Sequence, residues 1–165
     1  ANPLPPEHPP ALPARSQGPA HARVQQLDGY MAWKAFVPPT ERRGLVLVDP
    51  PFEVAGEFDR LATGLMDAHR RWATGISALW YPIKDPAPVR LFHARLRASG
   101  LHSLLRIELR VRAADDPERL SGCGMVVANP PWPLPETLPG ILAWLGPVLA
   151  QAAGAMASVD WLVPE

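Results

Sequence analysis

The chain has 165 residues, of which 47% are hydrophobic, and its 16 basic and 16 acidic residues leave no formal net charge. This length suits one domain with a real core, the neutrality gives no sign of a nucleic-acid binder, and no apolar run approaches the roughly 18 residues of a membrane span. A single cysteine, Cys123, excludes an internal disulfide and a cysteine-rich metal site, so a cytoplasmic protein without a metal is expected.

Residues 1–20 form a proline-rich N-terminal segment, and residues 21–165 are expected to form the folded domain. The segment contains one informative pair, Glu7-His8. Residues 22–27 predict a short strand that ends at Asp28-Gly29. An acid followed by glycine at a strand end suits a polar ligand edge, because the carboxylate accepts hydrogen bonds and the glycine lets the backbone approach closely.

A helix is predicted over residues 30–37, with Met31 and Phe36 packed inward, and a strand follows at residues 44–48. That strand is a continuous run of leucine and valine without alternation. Such a run is typical of a strand buried on both faces, as in a parallel sheet covered by helices.

The sequence Asp49-Pro50-Pro51-Phe52 follows this strand directly. Open α/β sheets bind ligands outside the carboxyl ends of their strands, which is where Asp49 is expected. Two consecutive prolines make a stiff turn, so Asp49 and Phe52 are held at a set separation. An ordinary strand-to-loop turn is the alternative, since Asp-Pro pairs are common in turns.

The rest of the chain predicts, in order, a helix, a strand, a helix, two strands, a helix and a strand, at residues 57–72, 75–82, 86–99, 103–111, 124–128, 134–150 and 158–163. The two adjacent strands indicate an antiparallel addition at the far side of the sheet. The alternation of helices and strands predicts a doubly wound α/β sheet.

Apolar residues recur at helical spacing in each of these three helices. The predicted buried stripes are Phe58, Leu61, Leu65, Ala68 and Trp72 in the first, Val89, Phe92 and Leu96 in the second, and Leu138, Ile141, Leu142, Leu145 and Val148 in the third. Clustered arginines such as Arg42-Arg43 and Arg70-Arg71 suit phosphate binding, but solvated helix faces are the favoured explanation.

Several segments together resemble the bacterial large-subunit ribosomal RNA adenine-N6 methyltransferases of the RlmJ type. They are Asp28-Gly29, Arg42 to Glu53, Ala73 to Ile76 leading into Leu79 to Pro82, Ile107 to Leu109, Gly122 to Met125, Asn129 to Trp132, and Trp161 to Glu165. The resemblance implies a Rossmann-like class I methyltransferase fold, S-adenosylmethionine as cofactor, no metal, and protein-free 23S ribosomal RNA as substrate of a monomeric enzyme.

The resemblance also implies roles for individual residues. Asp49 and the Pro50 carbonyl would orient the adenine amine beside the cofactor, and Phe52 would stack on the flipped base. Asp28 and Gly29 would read the adenine edge of S-adenosylmethionine. Glu7 would accept hydrogen bonds from the cofactor's ribose hydroxyls.

The reaction explains these residue types. An aryl amine is a poor nucleophile because its lone pair is delocalised into the ring. Hydrogen bonds from its two N–H groups to a carboxylate and a carbonyl favour a more pyramidal nitrogen and aim its lone pair.

The chain departs from the family at its start, because no Gly-x-Gly precedes the first acid. The sequence therefore resembles the C-terminal portion of such an enzyme, with the N-terminal strand and glycine-rich loop missing and one sheet edge exposed. A non-catalytic α/β fragment and a DNA amine methyltransferase remain alternatives. A second motif, Asn129-Pro130-Pro131-Trp132, is not assigned to catalysis because its late, antiparallel strand would end away from the cofactor crevice.

Overall fold

The computed structural model describes residues 25–165, which form one mixed five-stranded sheet with helices on both faces. The elements are α1 (Gly29–Phe36), β1 (Leu45–Val48), α2 (Glu57–Arg71), β2 (Ile76–Ile83), α3 (Pro86–Arg97), β3 (Leu104–Arg110), β4 (Gly122–Ala128), α4 (Leu134–Leu149) and β5 (Met156–Val163). The predicted succession of elements from the first helix onward is confirmed.

The strands lie in the order β1-β2-β4-β3-β5. Only β1 and β2 are parallel, and the other three pairings are antiparallel, as the closely spaced strands indicated. The carboxyl ends of the parallel strands β1 and β2 lie at the same end of the sheet. Ala128 at the end of β4 stands opposite Ser77 near the start of β2, so the loop after β4 lies at the opposite end of the strands.

The core forms between the sheet and the helices α1, α2 and α3. Its residues include the predicted helix residues Leu61, Leu65, Phe92 and Leu96, which are all almost fully buried. Alternate strand residues point to the opposite face, where Leu105 and its neighbours pack against α4. Helices on both faces agree with the doubly wound architecture.

The prediction that β1 is buried on both faces is wrong. Leu45 and Leu47 are 60% and 61% exposed, whereas Val46 and Val48 pack on the core. Within residues 25–165, β1 pairs only with β2 and is an edge strand, so the face carrying both leucines has no covering element. For residues 25–165 this agrees with the expected exposed sheet edge.

In α1 the structure buries other residues than predicted, and in α4 it buries only one residue of the predicted stripe. In α1, Met31 and Phe36 are exposed, while Trp33 is buried, as is Val37 just after the helix, because the helix turns this side towards α2. In α4 only Leu142 is buried, while the exposed residues include Ile141 and Val148.

The strand predicted at residues 22–27 lies partly outside the described residues, and residues 25–28 form no strand. Glu7 also lies outside the described part of the chain.

Candidate active site

A cavity of about 820 Å³ lies between α1, the free side of β1 and the start of α2. Its lining includes Asp28, Gly29, Asp49 and Pro50. The two acids that stand out in the sequence, 21 positions apart, therefore face one space. The cavity volume falls within the range of about 300–1,000 Å³ that is usual for small-molecule sites.

Asp28 is the N-cap of α1. The backbone N–H groups of Tyr30 and Met31 both donate to its Oδ1, at 3.0 Å each. The Met31 N–H, followed by Tyr30 and the charge of Arg60, holds the pKa of the Asp28 carboxyl below its ordinary value. Its second oxygen, Oδ2, takes no part in the cap and accepts a hydrogen bond from Arg60 Nη2 at 3.3 Å.

Asp49 and Pro50 follow β1 at its carboxyl end, where Asp49 is exposed and Pro50 is buried. Phe52 lies elsewhere. It has a φ of 54°, and its half-buried ring packs against Phe58 and Trp80, with ring centroids 4.8 and 6.0 Å away. Phe52 is not among the residues lining the cavity, so its stacking role stays a prediction.

Three side chains that sequence reasoning missed complete one wall of the cavity: Tyr30, Glu57 and Arg60. The Tyr30 hydroxyl donates to Glu57 Oε1 at 2.6 Å, and Arg60 donates to Glu57 Oε2 at 3.4 Å. Glu57 is only 4% exposed. An acid in the first turn of a helix usually faces water, so only the i, i+3 spacing of Glu57 and Arg60 hinted at this pair.

Asn129, in the second proline motif, has a structural task. Its Nδ2 donates to the carbonyl oxygens of Ala73 and Gly75, at 2.7 and 2.9 Å. These contacts fasten the loop after β4 to the segment that leads into β2. The motif and Asp49 lie at opposite ends of the strands, which agrees with the exclusion of the motif from the candidate site.

The charges of the cavity fit a cationic ligand such as a sulfonium cofactor. Its lining carries three carboxylates, Asp28, Asp49 and Glu57, and two guanidinium groups, Arg43 and Arg60, which amounts to a net charge of −1. The rest of the lining is largely apolar and includes two tryptophans that suit a flat ring. Charge and composition are thus compatible with the adenosyl part of S-adenosylmethionine.

A mixed sheet with helices on both faces and a cavity outside the carboxyl end of a parallel strand defines a Rossmann-like α/β protein. The family model described as "Ribosomal RNA large subunit methyltransferase D, RlmJ" matches residues 1–163. The chain therefore belongs to the RlmJ family.

Individual relatives agree with this assignment. The "Ribosomal RNA large subunit methyltransferase J" of Escherichia coli (strain K12) is 38% identical over 156 residues, covering 94% of this chain and 56% of the relative. The protein of that name from Haemophilus influenzae is 38% identical over 138 residues, covering 84% of this chain and 49% of the relative. The chain thus spans about half the length of these curated relatives.

A solved structure, that of protein LPL1258 from Legionella pneumophila, has a similar fold. It superposes with a TM-score of 0.73 at 27% sequence identity, over 82% of this chain and 49% of the other. Among residues 25–165, no helix combines the length and the apolar content that a membrane span requires.

Proposed function

We propose that this chain forms the catalytic part of an enzyme that methylates the N6 amino group of an adenine in 23S ribosomal RNA, using S-adenosylmethionine. The observation that carries the proposal is the single cavity lined by Asp28 and by Asp49-Pro50. Membership of the RlmJ family and the names of the two relatives support ribosomal RNA as the substrate.

Asp49 and Pro50 would act on the amine. The exposed Asp49 carboxylate accepts one N–H of the adenine amino group, and the carbonyl of Pro50 accepts the other. Both acceptors are held by the proline turn, so little ordering is needed when the base arrives. The bound amine then directs its lone pair into the cavity. Its proton is lost late, so no strong base is required beforehand.

Asp28 and Gly29 would hold the adenine end of the cofactor. The Oδ2 of Asp28, which also accepts a hydrogen bond from Arg60, would accept an N–H from that ring. Gly29 allows a close approach because a Cβ there would meet nothing within 4 Å. When bound, S-adenosylmethionine supplies the methyl group for direct displacement by the amine. Glu7, outside the described residues, is proposed to accept hydrogen bonds from the ribose hydroxyls.

Phe52 is proposed to contact the target base. Its ring packs against Phe58 and Trp80 and directly follows Pro50 and Pro51, which line the cavity. Base–aromatic stacking would contribute about 1–3 kcal/mol. We further propose that the enzyme is monomeric and cytoplasmic and that it acts on protein-free RNA.

The two proline motifs provide the test. In the full polypeptide that the gene encodes, Asp49→Ala should lower methyl transfer to protein-free 23S RNA at least about a thousandfold, because the amine loses a fixed acceptor. Asn129→Ala should leave turnover within about threefold but lower the melting temperature, because two backbone carbonyls lose their donor. Transfer of labelled methyl groups and thermal unfolding measure both effects.

Equal loss of turnover in the two folded variants would refute the assignment of Asp49. Duplex DNA serves as the competing substrate, and preferential labelling of DNA would favour a DNA amine methyltransferase. An intact, folded polypeptide that methylates neither substrate would favour the non-catalytic alternative.

A further inference from the structure

The Asp28 carboxylate divides its two oxygens between two tasks. Oδ1 is saturated by the N–H groups of Tyr30 and Met31, whereas Oδ2 faces Arg60, whose Nη2 lies 3.3 Å away. The orientation of Oδ2 therefore depends on the helix cap on one side and on one guanidinium group on the other.

Arg60 is itself held from three directions. Its guanidinium carbon lies 4.5 Å from the centroid of the Tyr30 ring, Nη1 donates to Glu57, and Nη2 donates to Asp28. A planar guanidinium can stack on a ring and donate to two carboxylates at once, whereas an ammonium group cannot reproduce this geometry.

Glu57 holds both Tyr30 and Arg60 in place. It is 4% exposed, and a buried carboxylate is costly unless it is paired and hydrogen-bonded. Its described hydrogen-bond partners are the Tyr30 hydroxyl and Arg60. Burial and the neighbouring Glu57 carboxylate raise the pKa of Tyr30, which keeps the hydroxyl protonated as a donor. Without Arg60, Glu57 would keep the Tyr30 hydroxyl as a donor but lose the one cation paired with it in residues 25–165.

We propose that Arg60, held by Glu57 and the Tyr30 ring, is a positioning residue that aims Asp28 Oδ2 at the adenine end of a bound adenosyl ligand. This inference rests on the proposed function, because it deepens the role given there to Asp28. Arg60 would act through Asp28 rather than on the reacting atoms.

Arg60→Met and Arg60→Lys test this role. We expect each to weaken the binding of both S-adenosylmethionine and free adenosine about tenfold in calorimetry, since the lost geometry is at the adenine end. Arg95→Met is the matched control. Arg95 also joins α2 to another helix, through Asp59 and Thr63, but it does not line the cavity. It should leave both affinities unchanged.

A second measurement does not need a bound ligand. Carbon-detected NMR titration of the free protein should show a higher Asp28 pKa in Arg60→Met than in the unmodified chain, while Arg95→Met leaves it in place. Affinities unchanged in Arg60→Met, or restored to the unmodified value by Arg60→Lys, would overturn the positioning role. The Asp28 pKa could also rise in Arg60→Met although the unmodified chain binds neither S-adenosylmethionine nor adenosine. That result would contradict the proposed function, and the Arg60–Asp28 ion pair would then have only a structural role.

Discussion

Asp28 combines a structural and a recognition role in one side chain. Asparagine is as good an N-cap as aspartate, because its amide oxygen accepts the same two N–H groups. We therefore expect Asp28→Asn to keep the melting temperature within about 1 °C and to weaken S-adenosylmethionine about tenfold or more, since an NH₂ donor replaces Oδ2 and faces Arg60. Asp28→Ala should lower both stability and affinity. Calorimetry and thermal unfolding of the two variants separate the roles, and equal binding by Asp28→Asn and the unmodified chain would contradict them.

The two acids that line the cavity stand out in the sequence, and their supporting residues do not. Asp49 follows the apolar strand β1, and Asp28 stands before Gly29, although residues 25–28 form the start of a helix cap and not the predicted strand. Glu57 and Arg60 look like ordinary helix-surface charges, because nothing local shows that the first turn of α2 packs against Tyr30. Contacts between residues 27 positions apart depend on tertiary packing, which a local pattern does not report.

At the scale of elements, α3 is tied to the sheet by a buried polar chain. Tyr81 donates its one hydroxyl hydrogen to Glu108 at 2.9 Å, so His93 Nε2, 3.0 Å away, is the donor to the Tyr81 oxygen. Gly124 makes room for this group, since a Cβ there would lie 2.1 Å from the Tyr81 ring. His93 Nε2 therefore carries a proton and has a hydrogen-bond partner in the folded protein.

This burial predicts a specific pH dependence. Burial, followed by the charges of Arg106 and Arg97, lowers the pKa of His93 to about 4. The unfolded chain, with a histidine pKa of about 6.5, binds this proton more readily than the folded protein. The contribution of His93 to the free energy of unfolding should therefore be fully present above pH 6.5 and fall by about 3 kcal/mol as the pH drops to about 4.

Urea unfolding between pH 4 and 7 measures the effect. His93→Gln should flatten this part of the profile, whatever its stability at neutral pH, while His102→Gln, at an exposed position, should keep the unmodified slope. A profile of unchanged slope in His93→Gln would show that other groups account for the acid loss.

Helices with a strong apolar period were predicted well and the ambiguous ones were not. The stripe of α2 matches its buried side because apolar and charged residues alternate clearly along it. In α1 and α4 most residues are apolar, so the pattern cannot indicate which side meets the sheet. The apolar run of β1 likewise predicts a strand buried on both faces. Its composition does not indicate which elements cover each face.

At the scale of the whole molecule, the two sides of the sheet differ in how completely they are covered. In residues 25–165, β1 has a free edge and exposes Leu45 and Leu47 beside the cavity, while three helices cover the opposite face. The chain spans about half the length of the curated relatives it matches. The cavity therefore lies beside an uncovered edge of the sheet in residues 25–165.

Asp28 and Asp49 are proposed to share one ligand site. Amide NMR of the chain with S-adenosylhomocysteine tests whether they do. We predict the largest chemical-shift changes at Gly29, Val48 and Asp49, which line the 820 Å³ cavity. Little change is expected at residues 129–132 or in the smaller cavity of about 390 Å³ between α4 and β5. Changes confined to those two regions, or none at saturating ligand, would contradict the account.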